Sequence, residues 1–346
     1  MKISLLTNLL HKKTGHINVG DVFIRQGLQY VLEKACPEEI EWVLISRFTP
    51  LDDDKLQKIK ECDLIVYGGM PQYNDLDDWC FYYDNKIWDD LQSTGVPIWR
   101  IAGGGGGQGE NTTPKTYSNK LSKSKKTKDI LKKSMVNCKL VTTRDKMAQQ
   151  FLVDNNVESK LLPCTGTFAM LFNGVNKTDK TINAICLTAS YLNQHNNRTG
   201  LINEFKRTMG FLNKKTRKPT KIICQVKKSD SEFLYKHFDK KDIIVVDEPL
   251  KILDIYKHVD ICVTTRLHCA LPIHGIGGRV ILLRVDTRGI AGEELGIPVV
   301  KLSDYTREKF IQLYSTNGFS KIDVKSSLDK SIEFYKKSFE EILKEN

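Results

Sequence analysis

The segment Val259–Gly289, VDICVTTRLHCALPIHGIGGRVILLRVDTRG, contains two short hydrophobic runs, each followed by charged residues. The pattern predicts a buried strand, an apolar helix and a second buried strand. Arg266 and His268 follow the first strand, and Arg288 follows the second. Ligands of open parallel sheets bind at the carboxyl ends of the strands. The segment therefore predicts an α/β fold with basic side chains at its ligand-binding edge.

The same alternation of apolar runs and amphipathic helices recurs along the chain, from KISLLTNL at residue 2 onward. It is interrupted by a polar stretch, NGVNKTDKT at 173–181, and then resumes. This alternation predicts two doubly wound, Rossmann-like parallel-sheet domains, residues 1–178 and 179–346, which enclose a cleft. The second is expected to end in an amphipathic helix over 327–345.

The bulk composition limits the class of protein. The chain has 346 residues, of which 40% are hydrophobic, and a net charge of +11, which favours anionic partners. Its nine cysteines are odd in number and have no C-x-x-C spacing, so we expect free buried thiols and a cytoplasmic location. No apolar run is long enough to span a membrane. Peripheral membrane association and the oligomeric state are left open.

The segment Thr113–Lys133, TPKTYSNKLSKSKKTKDILKK, is unusually rich in lysine. One interpretation is a mobile, solvated connection. The other is a basic lip that attracts an anionic acceptor. Nucleic acid is not an expected specific partner, because no aromatic residues alternate with the lysines as base-stacking sites.

Three segments of the first domain combine glycine with a strand end. GHINVGD at 15–21 precedes the first helix, where backbone N–H groups can bind an anion. Asp21 there either caps the helix or handles a proton or hydroxyl. The runs GGMPQYND at 68–75 and AGGGGGQG at 102–109 indicate either turns with positive φ or backbone that approaches a substrate. Neither is a P-loop or a clean dinucleotide motif, which argues against ATP and NAD.

Arg144 and Asp145 follow another predicted strand, in TTRDKMAQQFL. Asp145 is expected to be the N-cap of the next helix. Arg144 is then either a structural ion-pair partner or a ligand for an anion. Arg266 and Arg288 have the same capacity to bind phosphate or carboxylate through two parallel hydrogen bonds. Strand alternation would place Arg266 and His268 on one side, and the histidine can transfer a proton near neutral pH.

A set of motifs in this order resembles the polysaccharide pyruvyl transferases over about residues 3–300. The motifs are N-x-G-D (18–21), D-L-I-V-x-G-G (63–69), the glycine run, T-R-D (143–145), L-P-C (162–164), R-L-H (266–268) and G-I-P (296–298). The resemblance implies a two-domain fold like that of the GT-B glycosyltransferases. It also implies transfer of pyruvate from phosphoenolpyruvate to a sugar, glycolipid or polysaccharide, as a ketal across two hydroxyls. Neither a cofactor nor a metal is expected, because arginines can supply the positive charge.

The resemblance also implies roles for individual residues. Arg266, Leu267 and His268 would line the donor site together with Arg288, and Asp21 would lie in the catalytic cleft. We expect His268 to act as general acid and Asp21 as base for a sugar hydroxyl. The further substrate-binding candidates are Asn18, Gly20, Gly68, Gly69, Gly104, Gly105 and Arg144.

The chain departs from the family pattern at three places. It has Met70 where a third glycine is frequent, Arg288 where lysine is frequent, and Cys164–Gly166 where many members have D-P-A. Two alternative functions are also considered. One is a nucleotide-sugar glycosyltransferase on the same fold, for which Glu293–Leu295 is the sequence marker. The other is a non-catalytic basic protein that binds glycans.

Overall fold

The computed structural model of the protein describes residues 1–9, 19–47, 49–69, 71–73, 85–175, 179–225, 228–319 and 323–345. These residues form two all-parallel β-sheets flanked by helices. The predicted fold class, α/β with two doubly wound parallel sheets, is confirmed. The predicted domain boundary near residue 178 falls between the two sheets, in residues outside the described part of the chain, and stays a prediction.

The first sheet has the strand order β2-β1-β3-β5-β6-β7, with β4 beside β5. Its strands are β1 (Lys2–Thr7), β2 (Glu41–Ser46), β3 (Leu64–Gly68), β4 (Pro71–Tyr73), β5 (Ile98–Gly105), β6 (Cys138–Thr143) and β7 (Lys160–Leu161). The helices of this half are α1 (Val19–Ala35), α2 (Asp53–Lys60), α3 (Asn85–Ser93), α4 (Pro114–Lys123), α5 (Lys125–Ser134), α6 (Lys146–Asp154) and α7 (Ala169–Phe172).

The second sheet has the order β10-β9-β8-β11-β12-β13. Its strands are β8 (Ile182–Cys186), β9 (Thr220–Gln225), β10 (Ile243–Val246), β11 (Val259–Thr264), β12 (Arg279–Arg284) and β13 (Val299–Lys301). The remaining helices are α8 (Ala189–Gln194), α9 (Arg198–Thr216), α10 (Lys228–His237), α11 (Pro249–Tyr256), α12 (Leu267–Gly275), α13 (Arg307–Ser315) and α14 (Val324–Glu345). In the described part of the chain, every helix is too short or too polar to cross a membrane.

The central strands of each sheet are buried on both faces, which explains their nearly continuous apolar sequences, whereas the edge strands β2 and β10 are partly exposed. In β3, Leu64 and Val66 lie in one hydrophobic cluster, whereas Ile65 belongs to another. In β12, Val280 and Ile281 are divided between clusters in the same way. This alternation follows from the two-residue period of a strand.

The strand orders create a crevice at the carboxyl ends of both sheets. β1 lies between β2 and β3, and β8 lies between β9 and β11, so the direction of winding reverses beside β1 and beside β8. Along the chain, α1 is the next described helix after β1, α8 follows β8, and α12 follows β11. Ligands of open α/β sheets bind at such reversals. The fold therefore directs three helix N-termini to the candidate site.

Helix α1 packs against both halves of the molecule. Phe23 and Ile24 belong to the core cluster of the second sheet, and Leu28 belongs to that of the first. A Cβ atom on Gly27 would lie 1.7 Å from the carbonyl oxygen of Thr165, so α1 crosses the segment 165–168 at backbone contact distance. A side chain at residue 27 would separate these elements.

The terminal helix is present as predicted, but its packing differs from the expectation that it belongs to the second domain. Phe339 is fully buried, with its ring centroid 4.7 Å from that of Trp99 in β5. The hydroxyl of Tyr335 is 2.9 Å from the hydroxyl of Thr142 in β6. Helix α14 therefore returns across the molecule and packs on the first sheet.

The lysine-rich segment is not a mobile connection, so that interpretation was wrong. It forms helices α4 and α5. Thr113 and Thr116 form a reciprocal capping box at the start of α4, and the Ser124 side chain accepts a hydrogen bond from the Thr127 N–H at the start of α5. These caps satisfy N–H groups that the first helical turn leaves without partners.

The packing of α14 predicts a measurable loss of stability. Phe339→Ala should lower the free energy of unfolding by about 3–5 kcal/mol, because it removes a buried ring and leaves a cavity beside Trp99. Lys337→Ala, an exposed change in the same helix, should alter it by less than about 0.5 kcal/mol. Denaturant unfolding of both variants tests this packing, and equal effects would contradict it.

Candidate active site

The first turns of α1 and α12 meet at the crevice. Gly20 lies in the first turn of α1, and His268 is the second residue of α12. A Cβ atom on Gly20 would lie 2.0 Å from Nδ1 of His268. Only glycine allows the imidazole to take this position. The positive ends of two helix dipoles therefore face the same region.

Arg266 is held at the start of α12. Its backbone N–H donates to the Thr264 hydroxyl at 2.9 Å, and its Nη2 lies 2.8 Å from Oδ2 of Asp230. Its Nε is buried without a hydrogen-bond partner. The argument from strand alternation was wrong, because β11 ends at Thr264 and Arg266 is the helix N-cap. The start of a helix, rather than a strand, positions Arg266 and His268.

His268 lies among three guanidinium groups. Burial lowers its pKa well below the usual range, and the charges of Arg144, Arg288 and Arg266 lower it further, in that order. The imidazole is therefore neutral at neutral pH in the free protein. Its Nε2 atom is buried without a hydrogen-bond partner.

Arg144 is an almost fully buried arginine, with 1% of its surface exposed. Its Nε and Nη2 atoms have no hydrogen-bond partner. Nε is 3.9 Å from the Asp145 carboxylate, and Nη1 is 3.9 Å from Sγ of Cys164, which is a weak acceptor. Asp145 is the N-cap of α6, as predicted, and accepts from the backbone N–H groups of Ala148 and Gly105. The geometry favours an anion ligand over a structural ion pair.

The glycine run makes room for Arg144. A Cβ atom on Gly104 would lie 2.2 Å from Nε of Arg144, and one on Gly105 would lie 3.0 Å from Cβ of Met147. The alternative of a positive-φ turn was wrong for the glycines of this run, none of which is among the positive-φ residues of the described chain; the one residue of the run with a positive φ is Ala102, at 51°. A ligand-binding role for Gly104 and Gly105 stays a prediction.

Gly68 and Gly69 face helix α1. Their Cβ atoms would lie 2.8 Å from the Leu28 side chain and 2.9 Å from that of Ile24. Gly69 also has φ 79°, which other residues rarely adopt. The close approach visible at these two glycines is therefore to α1, and a substrate-binding role stays a prediction.

Asp21 lies inside the first turn of α1 rather than at the N-cap, and it is 6% exposed. Its carboxylate accepts a hydrogen bond from the Asn8 amide, and the Asn8 carbonyl accepts from Nε of Arg47. This chain of contacts fixes the orientation of the carboxylate.

The predicted site residue Asn18 lies outside the described residues. The side chain of Leu267 is buried in the core, so it offers its backbone N–H at the start of α12.

Comparison with protein-family models matches residues 18–272 to the polysaccharide pyruvyl transferases. The chain belongs to this family. The resemblance identified in the sequence is thereby confirmed. The protein is a transferase of a family that modifies polysaccharides, and membership of this family implies a sugar acceptor. Comparison with curated proteins found no match.

Solved structures with a similar fold include UDP-GlcNAc 2-epimerases. The enzyme from Neisseria meningitidis, bound to UDP-GlcNAc, has a TM-score of 0.56 at 11% identity, with 100% of both chains covered. The enzyme from Methanocaldococcus jannaschii has a TM-score of 0.57 at 12% identity, with 97% of this chain and 98% of that chain covered. At this identity the similarity concerns the fold alone, and it confirms the predicted GT-B-like architecture.

Arg288 is held by two neighbours. Asp286 Oδ2 accepts from Nε at 2.9 Å and from Nη2 at 2.5 Å, and Nη2 is also 2.6 Å from the Tyr191 hydroxyl. Burial alone would lower the pKa of Arg288, but the hydrogen bond and charge of Asp286 raise it above its ordinary value. Tyr191 was not among the predicted site residues, although its position just after β8, at the winding reversal, could have indicated it.

The loop that carries Arg288 is fastened to the first half of the molecule. The Thr287 N–H donates to the Gln108 carbonyl at 2.9 Å, and the Gln108 N–H donates to the Thr287 hydroxyl at 3.1 Å. Arg284 Nη2 donates to the Thr112 carbonyl at 2.5 Å. These bonds bring basic side chains of both sheets into one cleft.

Replacement of Arg144 distinguishes its two interpretations. Arg144→Met should lower the free energy of unfolding by less than about 1 kcal/mol, or raise it, because it removes a buried charge with unsatisfied N–H groups. Arg100→Met is the matched control. Its Nε also lacks a hydrogen-bond partner, but its Nη1 donates to Ser134 and its guanidinium lies 4.9 Å from the centre of the Trp88 ring, so the loss should be about 2 kcal/mol or more. A larger loss for Arg144→Met in denaturant unfolding would support the structural ion pair.

Proposed function

We propose that this protein transfers pyruvate from phosphoenolpyruvate to two hydroxyls of a sugar and forms a ketal. One observation carries the proposal: basic groups of both sheets, Arg144, Arg266 and His268, keep buried nitrogen atoms without hydrogen-bond partners. Buried polar groups in proteins are normally paired, and an unpaired one calls for an explanation. A donor with both a phosphate and a carboxylate would satisfy several of these atoms together.

The arginines bind and orient the donor. Guanidinium groups form paired hydrogen bonds with phosphate and with carboxylate, and burial strengthens these bonds. Arg266 and Arg288 clamp the two anionic groups, and Arg144 stabilises the negative charge of the departing phosphate. Asp230 and Asp286 hold Arg266 and Arg288 in place before the donor binds. Such preorganised charge is usually the largest contribution to catalysis.

Asp21 and His268 transfer the protons. Asp21 accepts the proton of the first sugar hydroxyl, whose oxygen bonds to C2 of the donor, and His268 gives a proton to the methylene carbon, which becomes a methyl group. The second hydroxyl then displaces phosphate from C2 and its proton leaves with the phosphate. Each general acid or base step contributes roughly 10²–10⁴-fold.

His268 requires the donor in order to act as an acid. It is neutral in the free protein because burial and three positive charges depress its pKa. An anionic donor offsets these charges, so binding raises the pKa of the imidazole and protonates it. The acid would then form only when the donor is present.

The alternative of a nucleotide-sugar glycosyltransferase has less support. Its marker, Glu293–Leu295, ends a 3₁₀ segment, and the Glu294 carboxylate is 3.0 Å from Nζ of Lys146 across the cleft. That glutamate is already an ion-pair partner. The cytoplasmic location is part of the proposal and agrees with the eight described cysteines, which are free thiols.

Thermal unfolding with phosphoenolpyruvate tests the proposed function. At a hundredfold excess over Kd, the donor should stabilise the wild type by about 2.7 kcal/mol. Arg266→Ala should lose this increment, measured against its own ligand-free baseline because Asp230 is left unpaired. Arg207→Ala, which removes a surface arginine paired with Glu204, should keep it. Stabilisation by a UDP-sugar and not by phosphoenolpyruvate would support the glycosyltransferase instead.

Proton uptake tests the role of His268. Its free-state pKa lies well below the ordinary value and should rise on binding, so the affinity for phosphoenolpyruvate should increase as the pH falls from the pKa of the donor-bound imidazole towards that of the free one. Calorimetry in buffers of different ionisation enthalpy should show uptake of up to about one proton per donor bound. His268→Gln should remove the part of the proton uptake that is due to the imidazole. The same uptake in this variant would show that another group takes the proton.

A further inference from the structure

The outer side of helices α4 and α5 is a concentrated positive surface. Seven lysines of these two helices are exposed, against one exposed acidic residue, Asp129. The opposite sides of the helices are buried through Tyr117, Leu121 and Ile130, so the lysines are held in a fixed array rather than on a loose chain. We call the exposed lysines of residues 114–134 the lysine face.

The lysine face begins at the rim of the cleft. The Tyr117 hydroxyl accepts a hydrogen bond from the Gly106 N–H at 2.5 Å, which ties α4 to the glycine run. The Thr112 carbonyl, two residues before α4, accepts from Arg284 at the end of β12. A glycan chain with one of its sugars in the cleft could therefore continue along α4, which is about 15 Å long.

The chemistry of the face selects among anionic partners. Residues 114–134 contain no arginine, and their one aromatic residue, Tyr117, is fully buried, so the face lacks the stacking groups that bind single-stranded nucleic acid. The large hydrophobic residues exposed in the described part of the chain all lie outside 114–134, whereas helices that insert into a bilayer expose apolar side chains. A polymer of acidic sugars needs only the positive charge.

We propose that the lysine face binds an anionic glycan chain, the part of a polymeric acceptor outside the cleft. This inference rests on the proposed function, because a pyruvyl ketal keeps the carboxylate of its donor. Each transfer would add a negative charge to the polymer. The lysine face would then hold the modified part of the chain while the next sugar enters the cleft.

Binding of full-length protein to polygalacturonate, a polymer of carboxylated sugars, tests the proposal, with neutral dextran as the blank. The face variant carries four exposed substitutions: K115Q, K123Q, K125Q and K128Q. The matched control removes the same charge from exposed lysines of the second half: K214Q, K215Q, K236Q and K240Q.

The face variant should bind polygalacturonate at least about tenfold more weakly than the wild type, as expected for four lost exposed ion pairs. The control should change affinity by less than about twofold, and the wild-type affinity should fall with added salt. Equal losses in the two variants would overturn the proposal, because binding would then follow net charge alone. So would wild-type binding to vesicles containing phosphatidylglycerol that exceeds binding to the polymer and is lost in the face variant.

Thermal unfolding with phosphoenolpyruvate in the same preparations separates this proposal from the proposed function. Phosphoenolpyruvate should stabilise both variants against thermal unfolding as much as it stabilises the wild type, since the substituted lysines lie outside the cleft. If phosphoenolpyruvate does not stabilise the wild type, the proposed donor is contradicted. If it still stabilises a face variant that no longer binds polygalacturonate, the result supports the lysine face as a separate glycan-binding surface.

Discussion

The contact between α1 and the second sheet is the constraint on which the site depends. Gly27 allows α1 to cross the segment 165–168 at backbone distance, and Gly20 allows the His268 imidazole to lie against the first turn of α1. A side chain at either glycine would meet atoms 2.0 Å away or closer. Because Asp21 follows Gly20 directly, the same contact places a carboxylate and an imidazole at one crevice. Neither half of the molecule alone contains both groups.

The site contains buried positive charge that does not stabilise the folded protein. Arg144 is buried with two nitrogen atoms lacking partners, and Arg266 and His268 each keep one such atom. Unsatisfied buried groups cost stability, and the proposed anionic donor would give them oxygen partners. Asp230 and Asp286 balance part of the charge and fix the arginines that they contact. Burial, and after it the positive charge of the three arginines, holds the pKa of His268 well below its usual range.

Local sequence patterns were enough to predict the sheets and the basic residues that follow their strands. Arg266, His268 and Arg288 were identified because they follow apolar runs that form strands. Features that depend on distant contacts were not predictable: the return of α14 to the first sheet, the carboxylate beside Arg266, and the Tyr191 hydroxyl beside Arg288. The lysine-rich segment was misjudged by its polarity, because α4 and α5 bury narrow apolar sides. Glycines show where backbone comes close, but not what it approaches, as Gly68 and Gly104 illustrate.

The most direct test of the central claim is a crystal structure of the protein with phosphoenolpyruvate. The account predicts that the phosphate and the carboxylate are bound between Arg144, Arg266 and Arg288, with the methylene carbon facing His268. It also predicts that the buried nitrogen atoms of Arg144 then have oxygen partners. A donor bound elsewhere, or an occupied cleft in which Arg144 and His268 remain without partners, would contradict the account.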